Sequence, residues 1–322
     1  MQIFGVDCMG ADNSLKTVCY NIPTLLSVEL LVRRFLRALT LLLALGCSAS
    51  GLGAEKKPIL VASLPALSLI ATDLAGDWLE VRPLLKTNQD PHHVALSVSQ
   101  RRLINDAAFI LWVGPSLENY LVQGVRARDA GSSLGMEEFV RKHFPQTDTQ
   151  GDAHLWLHPG MVRRLYQQLA VMLGEKYPHK EESIHLRLER ALEILDKKVA
   201  IIAAGFEKLN ASNNSVIVDH HAYGYFTDYF NVAVAGALVD ARGVAIGARS
   251  LAALEKVSTA SCLVVERLPA PRRAQRLAKS QGLRLVAIDP LGADVVVEKG
   301  YGGLLDSLSS GFIRCLSSTA LE

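Results

Sequence analysis

A stretch of roughly 30 residues with helical periodicity separates two regions in which short apolar runs alternate with amphipathic segments. Apolar residues recur there at spacings of three and four, namely Leu188, Leu192, Leu195, Val199, Ile202 and Phe206. This periodicity predicts one helix about 45 Å long. The strand–helix alternation on both sides of it is typical of parallel βαβ units. We therefore expect an α/β fold, with two lobes of parallel β-sheet flanked by helices and joined by a long rigid linker helix.

Apolar, β-branched runs predict the strands, and amphipathic segments predict the helices. Strands are predicted at 58–64, 79–85, 107–114, 215–220, 262–266 and 283–289. Helices are predicted at 67–77, 97–107, 136–144, 159–177, 249–257 and 270–282, and residues 125–152 otherwise read as an exposed loop. The expected division is an upstream extension with a signal peptide (1–54), an N-terminal lobe (55–177), the linker helix (178–211) and a C-terminal lobe (212–322).

One apolar run, near the start of the chain, is a candidate for a membrane-spanning segment or a signal peptide. Arg33, Arg34 and Arg37 precede the apolar stretch 38–46, which is too short to cross a bilayer because a crossing needs about 20 residues. This pattern predicts a secretory signal peptide cleaved after Ala54, and hence a periplasmic protein. Lipoprotein processing at Cys47 is the less favoured alternative. Because a signal peptide begins with a short basic region, residues 1–31 suggest that the start site was assigned too early.

Two cysteines, Cys262 and Cys315, remain once residues 1–54 are removed. In an oxidising compartment, two surviving cysteines favour one disulfide bond, and the alternative is two buried free thiols. The net charge of +2, without a dense Lys/Arg stripe, gives no case for a nucleic-acid partner.

Six of the nine histidines fall in three close pairs: His92–His93, His154 with His158, and His220–His221. A single such histidine is more often a loop or capping residue, and only the joint placement of several at strand ends indicates a metal site. Ligands of open α/β sheets bind beyond the carboxyl ends of the strands.

Four residues stand at predicted strand-to-helix junctions, two in each half: His92, His154, His220 and Asp289. Three imidazoles and one carboxylate suit tetrahedral zinc. The sequence thus predicts a Zn²⁺ site between the lobes.

The chain resembles the cluster A-I solute-binding proteins of bacterial metal ABC importers, and within them the ZnuA-type zinc-uptake members. The matching stretches are 90–121 (DPHHVALSVSQRRLINDAAFILWVGPSLENYL), 152–160 (DAHLWLHPG), 219–226 (DHHAYGYF) and 262–294, which ends in DPLGAD. The resemblance extends from about Pro58 to Cys315.

The resemblance implies the metal ligands by position. His92, His154 and His220 match the family's ligand histidines, and Asp289 matches the acidic residue that completes or adjoins the site. Four further residues are then candidates for positions around the metal: His93, His158, His221 and Glu266. The resemblance also implies the disulfide between Cys262 and Cys315.

The resemblance further implies a zinc carrier rather than an enzyme. Its partners are expected to be an ABC transporter permease with its cytoplasmic ATPase, and we expect a monomer. Three nitrogen ligands favour zinc over manganese. A manganese or iron carrier of the same family, a secreted zinc hydrolase and an adhesin remain as alternatives.

Overall fold

Two four-stranded parallel sheets form the framework of the protein. The computed structural model describes residues 33–34, 56–86, 89–210 and 214–317. The first sheet has the order β2-β1-β3-β4 and comprises β1 (Ile59–Ala62), β2 (Glu80–Pro83), β3 (Phe109–Trp112) and β4 (Ser133–Gly135). The second has the order β6-β5-β7-β8 and comprises β5 (Ser215–His220), β6 (Val234–Val239), β7 (Ala260–Val265) and β8 (Arg284–Ala287). All pairings are parallel, so the predicted fold class is confirmed.

Helices connect the strands and cover the sheets. The first five are α1 (Pro65–Leu74), α2 (Val98–Asp106), α3 (Val122–Arg126), α4 (Met136–His143) and α5 (Pro159–Lys176). The long helix α6 spans Glu181–Asn210. After it come α7 (Gly224–Tyr229), α8 (Ala248–Leu254), α9 (Arg272–Gln281) and α10 (Gly300–Leu316). The long helix lies between the two sheets in the chain order, as its periodicity predicted.

Local sequence chemistry sets several helix boundaries. Ser97 caps α2, because its side chain accepts a hydrogen bond from the N–H of Gln100, whose own side chain accepts one from the N–H of Ser97. Pro159 occupies the first turn of α5, where its missing N–H is not needed. Gly282 ends α9 with a φ of 67°, a backbone conformation that glycine adopts without strain.

One hydrophobic core runs through both halves of the described chain. It extends from Leu60 in β1 to Leu316 in α10 and includes Ile202 and Phe206 of the long helix. Helix α10 packs against both α1 and α6. Because this buried surface is shared, large movements of one sheet relative to the other would expose core side chains. The domain boundaries at residues 177 and 211 stay predictions.

A disulfide bond joins Cys262 in β7 to Cys315 in α10, with a Cα–Cα distance of 5.5 Å. Both cysteines are fully buried. The bond fastens the C-terminal helix to the second sheet. The predicted disulfide is therefore confirmed.

Five of the described strands and helices have no counterpart among the predicted ones, namely β4, β6, α3, α7 and α10. β4 is a three-residue edge strand inside the segment 125–152, and its pairing with β3 forms it. β6 was not predicted either. α10 contains four glycines, which lower helix propensity. Its formation follows from packing, since Leu304, Leu308 and Phe312 are fully buried.

None of the helices in the described part of the chain combines the length and apolarity that crossing a bilayer requires. The predicted signal peptide, with its cleavage after Ala54 or processing at Cys47, lies outside the described residues, apart from Arg33 and Arg34.

Candidate metal centre

Three imidazoles from distant parts of the chain meet in one cavity. His92 lies in the loop after β2, His154 directly precedes a 3₁₀ turn at Leu155–Leu157, and His220 is the last residue of β5. One ring nitrogen from each lies within 4.8 Å of the other two, and among the described residues these three form the one histidine, cysteine or carboxylate group so arranged. The ring centroids are 5.0–5.6 Å apart. The tertiary structure thus brings together three of the four predicted ligands, His92, His154 and His220.

Carboxylates orient two of the three rings. The Nδ1–H of His154 donates to Asp152 Oδ1 at 2.7 Å, and the Nδ1–H of His220 donates to Glu266 Oε1 at 2.6 Å. Carboxylates that hold one nitrogen in this way leave Nε2 of the same ring free for a metal and increase its basicity. The Nε2 atoms of His92 and His220 are buried and have no hydrogen-bond partner in the described chain. Buried polar atoms without a partner are rare unless an ion or water meets them.

The distances fit zinc after a small adjustment. A tetrahedral zinc with bonds of about 2.0–2.1 Å holds its nitrogen ligands about 3.4 Å apart. The three ligand nitrogens here are separated by at most 4.8 Å, so contraction by about 1.5 Å or less brings them to bonding positions. His154 is 2% exposed, whereas His92 lies in a loop and can supply that movement.

Acidic residues surround the imidazoles in a cavity of about 440 Å³, which is lined by Asp90, Asp219, Glu266, Asp289 and Asp294 among others. Such a concentration of carboxylates attracts cations. Burial, followed by the charge of Glu266, raises the pKa of Asp219 to about 6.

The pKa values of His92 and His220 are shifted in opposite directions. Burial, followed by the neighbouring imidazoles, lowers the pKa of His92 to about 4. Burial acts in the same direction on His220, but its hydrogen bond to Glu266 and the charge of that carboxylate outweigh burial and raise the pKa of His220.

Asp289 lines the same cavity without joining the group of three. Its Oδ1 accepts the N–H of Leu291 at 2.8 Å and its Oδ2 accepts the N–H of Ala293 at 2.6 Å. Both oxygens are therefore engaged by the loop after β8, and burial raises the pKa of the carboxyl group. Each oxygen keeps a further lone pair. Coordination by Asp289 stays a prediction.

The other histidines predicted around the metal have partners of their own. His93 is exposed and its Nδ1 lies 3.1 Å from Asp90 Oδ2. His158 caps α5 by accepting the N–H of Met161, and its ring packs against Tyr229. His221 is exposed, and its backbone N–H donates to the carbonyl of Val239.

The segment that carries His154 is fastened to the second half of the chain. The buried indole N–H of Trp156 donates to the carbonyl of Pro290, and the hydroxyl of Tyr301 donates to the carbonyl of Trp156, both at 2.8 Å. The hydroxyl of Tyr225 donates to the carbonyl of Asp152 at 3.0 Å. These bonds hold His154 near His220.

Asp152 is the residue around the site that sequence reasoning missed. Its Oδ1 also accepts the backbone N–H of His154 at 2.9 Å, so the local structure is a turn in which an aspartate binds the amide two residues later. An aspartate two positions before a candidate ligand is a recognisable signal for such a turn. Asp152 could therefore have been identified from the sequence by this turn.

Replacing Asp152 by alanine is expected to weaken zinc binding by about 10- to 100-fold, since nothing would then orient the His154 ring. Asp152→Asn should lie between wild type and Asp152→Ala, because the amide oxygen still accepts the Nδ1–H but carries no charge. Isothermal titration of metal-stripped proteins with Zn²⁺ measures the effect. Asp148→Ala, a nearby exposed aspartate, is the matched control. Equal affinities for Asp152→Ala and this control would contradict the orienting role.

Comparison with known proteins gives consistent matches. Residues 60–313 match the ZnuA family, described as zinc-uptake complex component A, periplasmic. The "High-affinity zinc uptake system protein ZnuA" of Yersinia pestis is 23% identical over 289 residues, which cover 80% of this chain and 90% of that protein.

Solved structures share the fold. A "Crystal structure of ZnuA" has a TM-score of 0.70 and 19% identity, covering 81% of this chain and all of that one. The laminin-binding protein Lmb of Streptococcus agalactiae, titled a bifunctional protein with adhesin and metal transporting activity, has a TM-score of 0.67 and 19% identity over 81% of this chain and all of that one.

Proposed function

We infer the function of this chain from its family: it belongs to the ZnuA family, the periplasmic component of zinc-uptake complexes. We propose that it binds Zn²⁺ in the periplasm and delivers it to an ABC-type importer. The observation that carries this proposal is the convergence of His92, His154 and His220 on one point, with ligand nitrogens within 4.8 Å of one another. Zinc is the cargo, and the chain's role is to capture and release it.

The donor set supports zinc in preference to manganese. Imidazole nitrogen suits zinc, whereas manganese prefers carboxylate and water. The group of three contains no carboxylate within the described chain, so water or Asp289 would complete a tetrahedral site. The hydrogen bonds of Asp152 and Glu266 select the nitrogen that each ring presents.

The position of Glu266 argues for a carrier over a zinc hydrolase. A hydrolase needs an acid or base beside a metal-bound water. Glu266 follows the last residue of β7 and lines the cavity, but its Oε1 accepts a hydrogen bond from the Nδ1–H of His220. Its carboxylate thus orients a ligand.

The proposed partners are an ABC transporter permease and its cytoplasmic ATPase. A permease takes over the ion while a cytoplasmic ATPase drives its transport, and the exported chain acts as a monomer. The export signal stays a prediction.

Isothermal titration of the metal-stripped protein with Zn²⁺ and with Mn²⁺ tests the proposal. We expect one zinc ion per chain and at least about 100-fold weaker manganese binding, because the site is nitrogen-rich. Zinc-limited growth of a strain lacking the protein tests transport, and its restoration by the wild-type chain is the control. Equal affinity for the two metals, or normal zinc-limited growth of the deletion strain, would contradict the proposal.

Zinc affinity is expected to fall between pH 7.5 and pH 5.5. Only neutral imidazole binds zinc, so protons compete with the metal. The raised pKa of His220 lets it hold a proton in this range, whereas His92, with a pKa of about 4, remains neutral. Below the pKa of His220, each displaced proton lowers the affinity by about tenfold per pH unit. Titration against a competing chelator at three pH values measures this, and a constant affinity would contradict it.

A further inference from the structure

Helices α8 and α9 carry an exposed basic face on the second sheet. Six exposed cationic residues form it, four on the helices (Arg249, Arg272, Arg276 and Lys279) and two in the segments beside them (Lys256 and Arg267). None of the six makes an ion pair with another described residue, whereas cations elsewhere on the surface, such as Lys197 with Glu193, do. Between residues 248 and 281 the acidic residues are Glu255 and Glu266, and Glu266 is engaged with His220. The positive charge of this face is therefore not neutralised from within.

The two helices form one rigid surface. The guanidinium of Arg273 donates to the carbonyls of Leu238 and Ile246, which ties the start of α9 to the segment leading into α8. At the other end, the side-chain amide of Gln281 donates to the carbonyl of Leu254 at 2.8 Å. Both helices pack on the same apolar cluster beneath them. The backbones of the two helices consequently hold fixed positions relative to each other.

The basic face adjoins the mouth of the metal cavity. Arg267, Pro271 and Arg273 line that cavity together with the three histidines. Between Arg267 and Arg272 the chain presents Leu268, which is 62% exposed. An apolar tip flanked by arginines beside a broad basic surface is the pattern of a segment that meets the interfacial region of a membrane.

We propose that the α8–α9 basic face is a peripheral contact for anionic phospholipid headgroups, with Leu268 at its tip, and that this contact turns the mouth of the metal cavity towards the membrane. A lipid surface suits this face because the cations are spread over two helices and the segments beside them, so they match diffuse charge without fixed geometry. Turning the cavity towards the membrane is useful to a carrier that must present its ion to a permease, so this part of the inference rests on the proposed function. The lipid contact itself does not depend on that function.

Sedimentation with vesicles tests the proposal. The protein as recovered from expressing cells is mixed with phosphatidylglycerol–phosphatidylcholine vesicles or with pure phosphatidylcholine vesicles. We expect binding to the anionic vesicles that weakens steeply as NaCl is raised from 50 to 500 mM, because salt screens exposed charges. The variant Arg272→Gln/Arg276→Gln/Lys279→Gln should lose about 100-fold in affinity for anionic vesicles.

A matched control removes the same charge from the long helix. Arg190→Gln/Lys197→Gln/Lys208→Gln changes three exposed cations of α6 and should leave vesicle affinity within about twofold of wild type. Zinc affinity, titrated for both triple variants, should equal that of wild type, because none of the six residues lies in the group of three histidines. A failure of zinc binding in the wild-type protein would thus be a failure of the proposed function and not of this inference.

Three outcomes would overturn the inference. The first is equal loss of vesicle affinity in the two triple variants. The second is equal binding of the wild-type protein to anionic and zwitterionic vesicles. The third is a triple variant of α9 that binds anionic vesicles normally but fails to restore zinc-limited growth, which would identify the partner as an acidic protein surface.

Discussion

Replacing His220 by alanine is expected to weaken zinc binding by more than about 100-fold. Loss of a residue that merely orients a ligand costs about 10- to 100-fold, and His220 supplies a ligand nitrogen itself. The buried Nε2 of His220 has no other partner in the described chain. The measurement is isothermal titration of the metal-stripped variant with Zn²⁺.

His221→Ala is the matched control for this experiment. The two histidines are adjacent, but His221 is exposed and lies outside the group of three. We expect its zinc affinity to stay within about threefold of wild type, because it contacts no predicted ligand nitrogen. His92→Ala should behave like His220→Ala. Near-normal affinity in both of these variants would exclude the proposed centre.

Removing the disulfide bond is expected to lower the free energy of unfolding by about 4 kcal/mol in the chain-entropy model. The two cysteines are 53 residues apart, so the reduced unfolded chain gains considerable freedom. For a chain of this size such a loss lowers the melting temperature by roughly 10 °C. Thermal unfolding of Cys262→Ala/Cys315→Ala, followed by circular dichroism, measures it. Alanine is the suitable replacement, because both positions are fully buried.

Reductant provides the control for the disulfide experiment. It should lower the melting temperature of the wild-type protein towards that of the double variant and leave the double variant unchanged. A wild-type melting temperature that does not respond to reductant under conditions where both thiols become titratable would contradict the stabilising role.

The sequence allowed the ligands to be proposed, because histidines beside predicted strand ends are visible without coordinates. His220 stands at the end of an apolar run, and Asp289 stands two residues beyond the end of β8. The partners of the rings were harder to find. Glu266 is 46 residues from His220, and only the pairing of β5 with β7 brings them together. Asp152 was missed although its signal is local.

The strands and helices also divide into those with local sequence signals, which were predicted, and those that depend on packing, which were not. The long helix and α2 were predicted because their signals are periodic or local. β4 and α10 were not, since an edge strand of three residues and a helix with four glycines depend on what they pack against.

The amino-acid sequence by itself determined the class of fold, the long helix and the residue types available to bind a metal, because periodicity and side-chain chemistry are properties of short segments. Only the tertiary structure decided that three imidazoles share one cavity and that Glu266 orients the ring of His220. The physical reason is that these contacts join segments far apart in the chain. Their geometry depends on strand order and on the packing of both sheets against a shared core.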